Sequence, residues 1–584
     1  MSTNNELAEI FGRMAAILEL TGADRFRVAA HARVQRVLKD MTVDVGTLAD
    51  DPAKLTALEG IGAKSAKKIV EYVSTGRIAE DEALRAEVPE GLLDVLGVPG
   101  LGPKTVRRIW IEADVTDLPS LAAAIEDGRL EALPRMGAKT IQNIRDSMAF
   151  AQRAGTRLRL GQALPIAESI VARLEQTPGT HRVWYAGSLR RGRDTIGDID
   201  VLATSDDPSA LTETFRALPG VEKVLVAGAT KSSIRLERGV QVDLRVVESD
   251  AFGAAALYFT GSKAHNVRLR ERAIKRSLRL NEYGLFPDDG NDEPPQARGI
   301  APVAAATEED IYAALDLPWI PPELREDRGE LDAEIPALVE LGDVCSDLHT
   351  HTVASDGKMT IDELACAAIE CGYHTVAITD HSRSSAQANG LDVDRLLRHV
   401  DAVYEANERY EEITLLAGSE VDILADGHLD YDDKTLARLD LVVASPHVAL
   451  RQSPEDATAR LLRAITHPLV HIIGHPTGRM INRREGLSPD IDALVSAAAE
   501  HGTALEINAN AMRLDLRDTH VRAAVDAGAL IAINTDAHAP VDFDQLRYGV
   551  LTGRRGWLPK DGCINTWSAK RLHAWLKKKK KKKP

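Results

Sequence analysis

The chain has 584 residues, 44% of them hydrophobic and 27% charged, with a formal charge of −16; that length holds several buried cores, and that composition excludes a disordered or fibrous chain. Four cysteines without a paired CxxC spacing, Cys345, Cys366, Cys371 and Cys563, exclude a disulfide-stapled scaffold and predict buried thiols. The first residues carry scattered charge and no later window approaches the roughly 18 apolar residues of a membrane span, so a cytoplasmic protein without a membrane partner is expected, as a monomer.

Residues 1–150 read as successive helices, with apolar positions three or four apart and glycine turns between them. Three turns are alike: Leu58 to Lys64, Val98 to Lys104 and, more loosely, Leu133 to Lys139. A glycine hairpin just before a helix lets backbone N–H groups approach a phosphate, with the helix dipole and a lysine adding attraction. Gly60, Gly62 and Lys64, and Gly100, Gly102 and Lys104, are therefore candidate DNA-binding residues of the helix-hairpin-helix kind. Such contacts reach phosphates and carry no base information.

From 151 to 250 the pattern changes to β-branched runs, at Val183 to Ala186, Ile199 to Ala203, Ser233 to Leu236 and Val240 to Val247. Asp198 and Asp200, two apart on a strand, share a face, and Asp243 is placed to join them from a neighbouring strand. Three crowded carboxylates repel unless cations sit among them, and oxygen ligands suit Mg²⁺ or Mn²⁺. The expectation is a site for two ions. The preceding Gly187-Ser188-Leu189-Arg190-Arg191-Gly192 offers backbone, hydroxyl and guanidinium groups to a triphosphate.

With these motifs in place, residues 1 to about 320 resemble the bacterial-type family X DNA polymerases, the DNA polymerase beta-like group. The resemblance implies that Asp198, Asp200 and Asp243 are catalytic metal ligands. It implies that Gly187, Ser188, Arg191 and Gly197 hold an incoming dNTP, with Tyr258, Phe259, Gly261, Asn266 and Arg270 at its sugar and minor-groove side. Seven basic residues against one acid between Lys263 and Arg279 then contact nucleotide and template. Lys68 matches the position of a Schiff-base lysine for deoxyribose-phosphate removal, with Lys64 and Lys67 as cationic neighbours that would favour its neutral form. Gln241 and Lys263 depart from the family pattern, where Arg and Asp stand.

A proline-broken, acidic stretch is read as a linker over 321–345. Beyond it, fourteen acids face five basic residues between Ser346 and Glu420, which suits bound cations. Asp347-Leu348-His349-Thr350-His351, Asp356, His381, Glu420, His447, His475, Asp536 and His538 mostly follow short apolar runs, at Thr375 to Ile378, Thr414 to Ala417, Leu439 to Ala444, Val470 to Ile473 and Leu530 to Ile533. A β/α barrel delivers side chains to one mouth in this way. Mixed imidazole and carboxylate ligands suit Zn²⁺, Mn²⁺ or Fe, two to three ions. Residues 346–570 resemble the PHP (polymerase and histidinol phosphatase) domain, a distorted (β/α)7 barrel, and the resemblance makes His349, His351, Asp356, His381, Glu420, His447, His475, Asp536 and His538 the ligands. Arg383 and Arg513 are weaker candidates for holding phosphate.

The expected architecture is multidomain α and α/β: a helical lyase-like domain at 1–80, a helical fingers-like subdomain at 81–150, a nucleotidyltransferase palm with a mixed sheet at 151–250, a nucleotide/template subdomain at 251–320, the linker, the barrel, and a basic tail at 571–584, in which Lys577 to Lys583 with Pro584 is too simple to fold. The expected function is gap filling on gapped or nicked DNA during repair, including base excision repair, joined to a 3′–5′ exonuclease or 3′-end phosphodiesterase. A phosphatase of small esters carrying a DNA adaptor, or a non-catalytic repair scaffold, are the alternatives.

Overall fold

The computed structural model describes residues 3–581 apart from 41–44, 50, 59, 90, 97, 99–100, 132, 134–135, 138–139, 143, 146–147, 149–156 and 292. The chain forms two compact units, Met1–Gly155 and Thr156–Pro584. The first is helical. Its long helix Thr3–Thr21 serves two cores, with Leu7 and Phe11 packed against Val34, Leu38 and Ile69, and Met14 and Leu18 against Leu92, Val106 and Ile109. Spacings of four residues put each pair on one helical stripe.

The second unit begins with a five-stranded mixed sheet: β1 (Thr180–Tyr185), β2 (Ile199–Ser205), β3 (Val221–Ala227), β4 (Lys231–Leu236) and β5 (Gln241–Val246), in the order β1-β2-β5-β4-β3. Only β2 and β5 run parallel. The sequence reading missed β3, an edge strand whose Val224 and Val226 are each 41% exposed, so its burial lacks the alternation that marks a half-buried strand. Helices Phe252–Thr260, Lys263–Ile274 and Glu308–Ala314 form the next layer around Leu257, Leu269, Ile311 and Tyr312.

Seven strands then run parallel in sequential order: β6 (Ser346–Thr350), β7 (Thr375–Ile378), β8 (Thr414–Asp422), β9 (Leu441–Ser445), β10 (Ile472–Ile473), β11 (Ala504–Asn508) and β12 (Ile531–Asn534). A bridge between Thr350 and Ala537 brings the ends of β6 and β12 together, giving the expected distorted barrel. Strands covered on both faces read as continuous apolar runs, which is why most were visible in the sequence.

Two expectations are corrected. The segment read as a linker is packed: Arg325 is fully buried, and its guanidinium donates to both oxygens of Glu308 at 2.7 and 2.9 Å. Arg190 grips the same carboxylate at 2.7 and 3.0 Å. Burial alone would raise the Glu308 pKa, but Arg325 and then Arg190 hold it at about 2. The basic tail also folds, as helix Ala569–Lys581, because Leu572 and Leu576 lie one turn apart and join Leu348, Ala377, Leu441 and Ile472 inside the barrel. Lys579 is buried with its Nζ 2.5 Å from Thr503 Oγ1. Leu572→Ala is expected to cost about 2–5 kcal/mol of stability, read as a lowered denaturant midpoint. Of the four thiols, only Cys563 is buried.

Sheet and barrel share one core. Tyr548, Leu514 and Ile481 of the barrel side pack among Leu160, Leu164, Leu189 and Ile199. Gly161 lies so close to Ala511 that a Cβ there would meet it at 2.4 Å.

Candidate active sites

In-register pairing of β2 and β5 sets Asp200 beside Asp243, and Asp198 lies one residue before β2. Ligand oxygens of all three fall within 4.8 Å of one another. Burial first, then Asp198 and Asp243, push the Asp200 pKa up to about 7, which is the cost of crowding carboxylates without a cation. Gln241 donates its amide to Asp243 at 3.1 and 3.3 Å, so a neutral group orients the third carboxylate.

The Gly187–Arg190 turn covers this cluster. Gly187 has φ +62°, and a Cβ on it would meet Asp200 Oδ2 at 2.2 Å, so no other residue fits that contact. Ser188 lies within this turn and Gly197 directly precedes Asp198, but Arg191 is not free: its Nε donates to Glu326 at 3.1 Å and its guanidinium also reaches the Thr260 carbonyl. Tyr258, Asn266 and Arg270 line one hollow with Leu257 and Asn281. Asn266 Nδ2 donates to the Tyr258 carbonyl at 2.8 Å, and Phe259 meets the Tyr258 ring edge-on with centroids 5.1 Å apart. Gly261 has φ +69° and sits 3.1 Å, at its would-be Cβ, from Arg191.

The basic helix divides by role. Arg268 pairs with Asp332 at 3.1 Å, Arg276 with Asp316 at 2.9 Å, and Arg272 donates to the Leu315 carbonyl at 3.1 Å. These side chains fasten the helix; Lys263 and Arg270 are exposed.

In the helical unit, Gly62 and Gly102 are the N-caps of helices Ala63–Thr75 and Pro103–Ala113, without side-chain caps. Space around both glycines is open, and Lys64 and Lys104 are exposed beside them. The free first-turn amides of such helices attract anions. Gly60 has φ +98°, which makes the hairpin possible. Gly100 lies outside the described residues. Lys68 is turned inward, with side-chain exposure of 12% and its Nζ 2.8 Å from Glu80 and 3.1 Å from His31 Nε2. Its structural neighbours are therefore Glu80 and His31, whereas Lys64 and Lys67 are exposed.

All nine expected barrel ligands meet at the C-terminal ends of the strands. His351, Asp356, His381 and His538 form one group, His349, His351 and Asp536 a second, and His381, Glu420 and His447 a third. Glu420 is central: Oε1 lies 2.9 Å from His475, 3.3 Å from His447 and 3.4 Å from His349, and Oε2 lies 2.9 Å from His381. Buried His349 Nε2, both ring nitrogens of His351, His381 Nδ1 and both Glu420 oxygens lack a hydrogen-bond partner among the described residues. Orphaned imidazole and carboxylate atoms facing each other are the donor set that cations satisfy.

Electrostatics agree. Burial favours neutral His381, yet Glu420 and Asp356 push its pKa up to about 11. Burial, then His538 and His381, push the stacked His351 down to about 4. Asp536 has φ +55°, a left-handed conformation that aims its carboxylate into the cluster at a strand end.

Sequence reasoning missed the groups that orient these ligands. Glu506 on β11 lies 2.8 Å from His349 Nδ1, accepts from Asn534 at 2.9 Å, and accepts from the His475 amide at 2.7 Å. Asp422 lies 2.6 Å from His447 Nδ1. Such contacts fix ring orientation and tautomer. A carboxylate within apolar Ala504–Asn508, and the two-residue spacing of Glu420 and Asp422, were the available signals. Arg513 lines the barrel-mouth cavity of about 230 Å³, whereas Arg383 pairs with Asp430 at 3.1 Å.

Comparison with known proteins follows this division. A DNA polymerase beta thumb matches residues 255–326, a helix-hairpin-helix domain 2–78, a SAM-like helix-hairpin-helix tandem 92–148, and a PHP domain 347–510. The DNA polymerase/3′-5′ exonuclease PolX of Bacillus subtilis (strain 168) is 37% identical over 98% of this chain and 99% of its own length. DNA polymerase lambda of Arabidopsis thaliana is 25% identical over 55% of this chain and 62% of its own. A probable phosphatase of Thermoanaerobacter sp. (strain X514) is 29% identical over 40% of this chain and 96% of its own.

Proposed function

Because the chain belongs to the family X DNA polymerases that carry a C-terminal PHP domain, we infer that it extends primer 3′ ends across short gaps in DNA and shortens 3′ ends at a second, separate site. It is a DNA-directed DNA polymerase with 3′–5′ exonuclease activity. The observation that carries this reading is the presence, in one compact unit, of a cluster of three aspartates and, at the barrel mouth, of clustered imidazoles and carboxylates.

For nucleotidyl transfer, Asp198, Asp200 and Asp243 would hold two Mg²⁺ or Mn²⁺ ions. When bound, such ions lower the pKa of the attacking hydroxyl and offset charge on phosphorus. Gly187, Ser188 and Gly197 approach the triphosphate, Gly187 by having no Cβ. Arg191 joins them by exchanging Glu326 for a phosphate oxygen. Tyr258, Phe259, Gly261, Asn266 and Arg270 bound the sugar and the nascent base pair. The hairpins at Gly60, Gly62, Lys64, Gly100, Gly102 and Lys104 grip the DNA backbone, so affinity for gapped or nicked DNA falls with salt.

At the barrel mouth, His349, His351, Asp356, His381, Glu420, His447, His475, Asp536 and His538 would hold two to three ions of Zn²⁺, Mn²⁺ or Fe, which would supply an activated water for attack on the terminal phosphodiester. Glu506 and Asp422 keep His349 and His447 aimed at them. Arg513 is placed to neutralise the scissile phosphate. The protein works as a cytoplasmic monomer on DNA and dNTPs.

The test is one labelled, one-nucleotide-gapped substrate with Mn²⁺. Extension with dNTPs and shortening without them support the reading; release of phosphate from small esters, with DNA ends untouched, would transfer the barrel to the phosphatase alternative.

Lys68 is proposed as a Schiff-base lysine, on the strength of its inward placement beside His31 and Glu80. Glu80 accepts from the Lys68 amine at 2.8 Å and favours its charged form, so His31, 3.1 Å away, is the group in reach to take the proton before attack. Borohydride is expected to trap the wild-type chain on a 5′-deoxyribose phosphate end, and Lys68→Ala to reduce that adduct at least about tenfold; equal trapping would leave Lys68 a phosphate contact.

A further inference from the structure

Where the sheet and its thumb-side segment meet the barrel, a cavity of about 220 Å³ is lined by five arginines, Arg193, Arg328, Arg479, Arg517 and Arg555. That is below the roughly 300–1,000 Å³ of drug-sized ligand sites. Asp194 and Asp518 also line it, and Glu326 stands behind Arg193 and Arg555 at 3.2 and 3.0 Å. Five guanidiniums against three carboxylates leave an excess of two positive charges in a semi-enclosed space.

The excess is localised. Arg555 is spent on Asp518 at 2.7 Å and Glu326, and Arg328 on Asp518 at 3.0 Å. Arg479, 5% exposed, donates to Asp194 at 3.0 Å and to the Leu514 carbonyl at 2.5 Å, but its buried Nε has no partner among the described residues. Arg517 makes no ion pair to any described residue, and its buried Nε is likewise unpartnered. Helix Asp518–Asp526 starts here with Arg517 as an N-cap that offers no side-chain acceptor, so its dipole adds to the positive field. Thr519 and Thr552 contribute hydroxyls to the lining. Unpartnered buried donors and crowded guanidiniums carry a free-energy cost that a bound anion would offset.

We propose that this cavity binds a small phosphate-class polyanion, inorganic pyrophosphate or orthophosphate, held by Arg517, Arg479 and Arg193 at the seam between the polymerase palm and the barrel. Pyrophosphate is the leaving group of nucleotidyl transfer, so the ligand is generated by the same chain. Arg193 directly follows the loop that covers the aspartate triad, and Arg517 directly follows Leu516 at the end of the loop bearing Arg513, so the anion contacts supports of both reaction centres.

The experiment is isothermal titration of the metal-loaded full chain with pyrophosphate, with orthophosphate and with a deoxynucleoside monophosphate, in wild type and in Asp198→Ala/Asp200→Ala, Arg517→Ala and Arg193→Ala. Binding of pyrophosphate or orthophosphate should persist in the aspartate variant and weaken about tenfold or more in each arginine variant, each removing a charge-assisted contact. Thermal midpoints identify any arginine variant that fails to fold, and Arg517→Lys, which keeps the charge but loses the planar fork, should bind with intermediate affinity. The proposal is overturned by an absence of binding in wild type, by binding that vanishes with the aspartates, or by wild-type affinity in both arginine variants. Binding confined to the nucleoside monophosphate would also overturn it.

Discussion

Asp198→Ala/Asp200→Ala is expected to abolish primer extension by about 10³-fold or more while 3′ shortening proceeds at the wild-type rate. Removing two of three carboxylates removes the cation site, and the several kcal/mol of charge stabilisation lost with it corresponds to that factor. Selectivity follows from the architecture, because these aspartates sit on β2 and before it, whereas every barrel ligand lies on or beyond β6. The substitution also relieves crowding: Asp200 no longer needs a proton or a cation, so the thermal midpoint should hold or rise. A gapped-primer assay with and without dNTPs reads both activities. Retained extension would mean that Asp243 and groups outside the triad carry the chemistry.

Glu420→Gln should do the converse. Its two oxygens face His349, His381, His447 and His475 within 3.4 Å, a bridging position between the ligand groups. The amide keeps the volume and loses the charge that attracts cations, so shortening should fall by about 10³-fold and extension by less than about twofold. A second readout separates chemistry from folding. Chelation should lower the thermal midpoint of wild type, because ions bound to the folded state stabilise it, and should barely move that of Glu420→Gln. Shortening at the wild-type rate in this variant would remove Glu420 from the site.

The strand-end histidines and carboxylates and the paired aspartates were legible in the sequence because both obey local rules. A parallel strand buried on two faces announces itself as an apolar run, and the residue after it must face the barrel mouth. Asp198 and Asp200 needed only the two-residue period of a strand. What stayed hidden depended on partners far away in the chain. Arg190 and Arg191 look equivalent in sequence, yet one is committed to Glu308 and the other to Glu326, more than a hundred residues on. Glu506 supports His349 across 157 positions. The terminal lysines concealed a helix whose stability comes from Leu572 and Leu576 plugging the barrel, a tertiary gain that low complexity cannot reveal. The supposed linker was misread because its prolines mask Arg325, whose value appears only with Glu308 in place.

The shared core of Tyr548, Leu514, Ile481 and the sheet fixes the separation between the two reaction centres. A primer terminus that is first extended and then shortened is therefore expected to move between them by fraying of its last pairs, since the packed seam offers no hinge among these residues. Unstacking costs least for a mismatched base, so a mispaired terminus is expected to be shortened faster than a paired one on otherwise identical DNA.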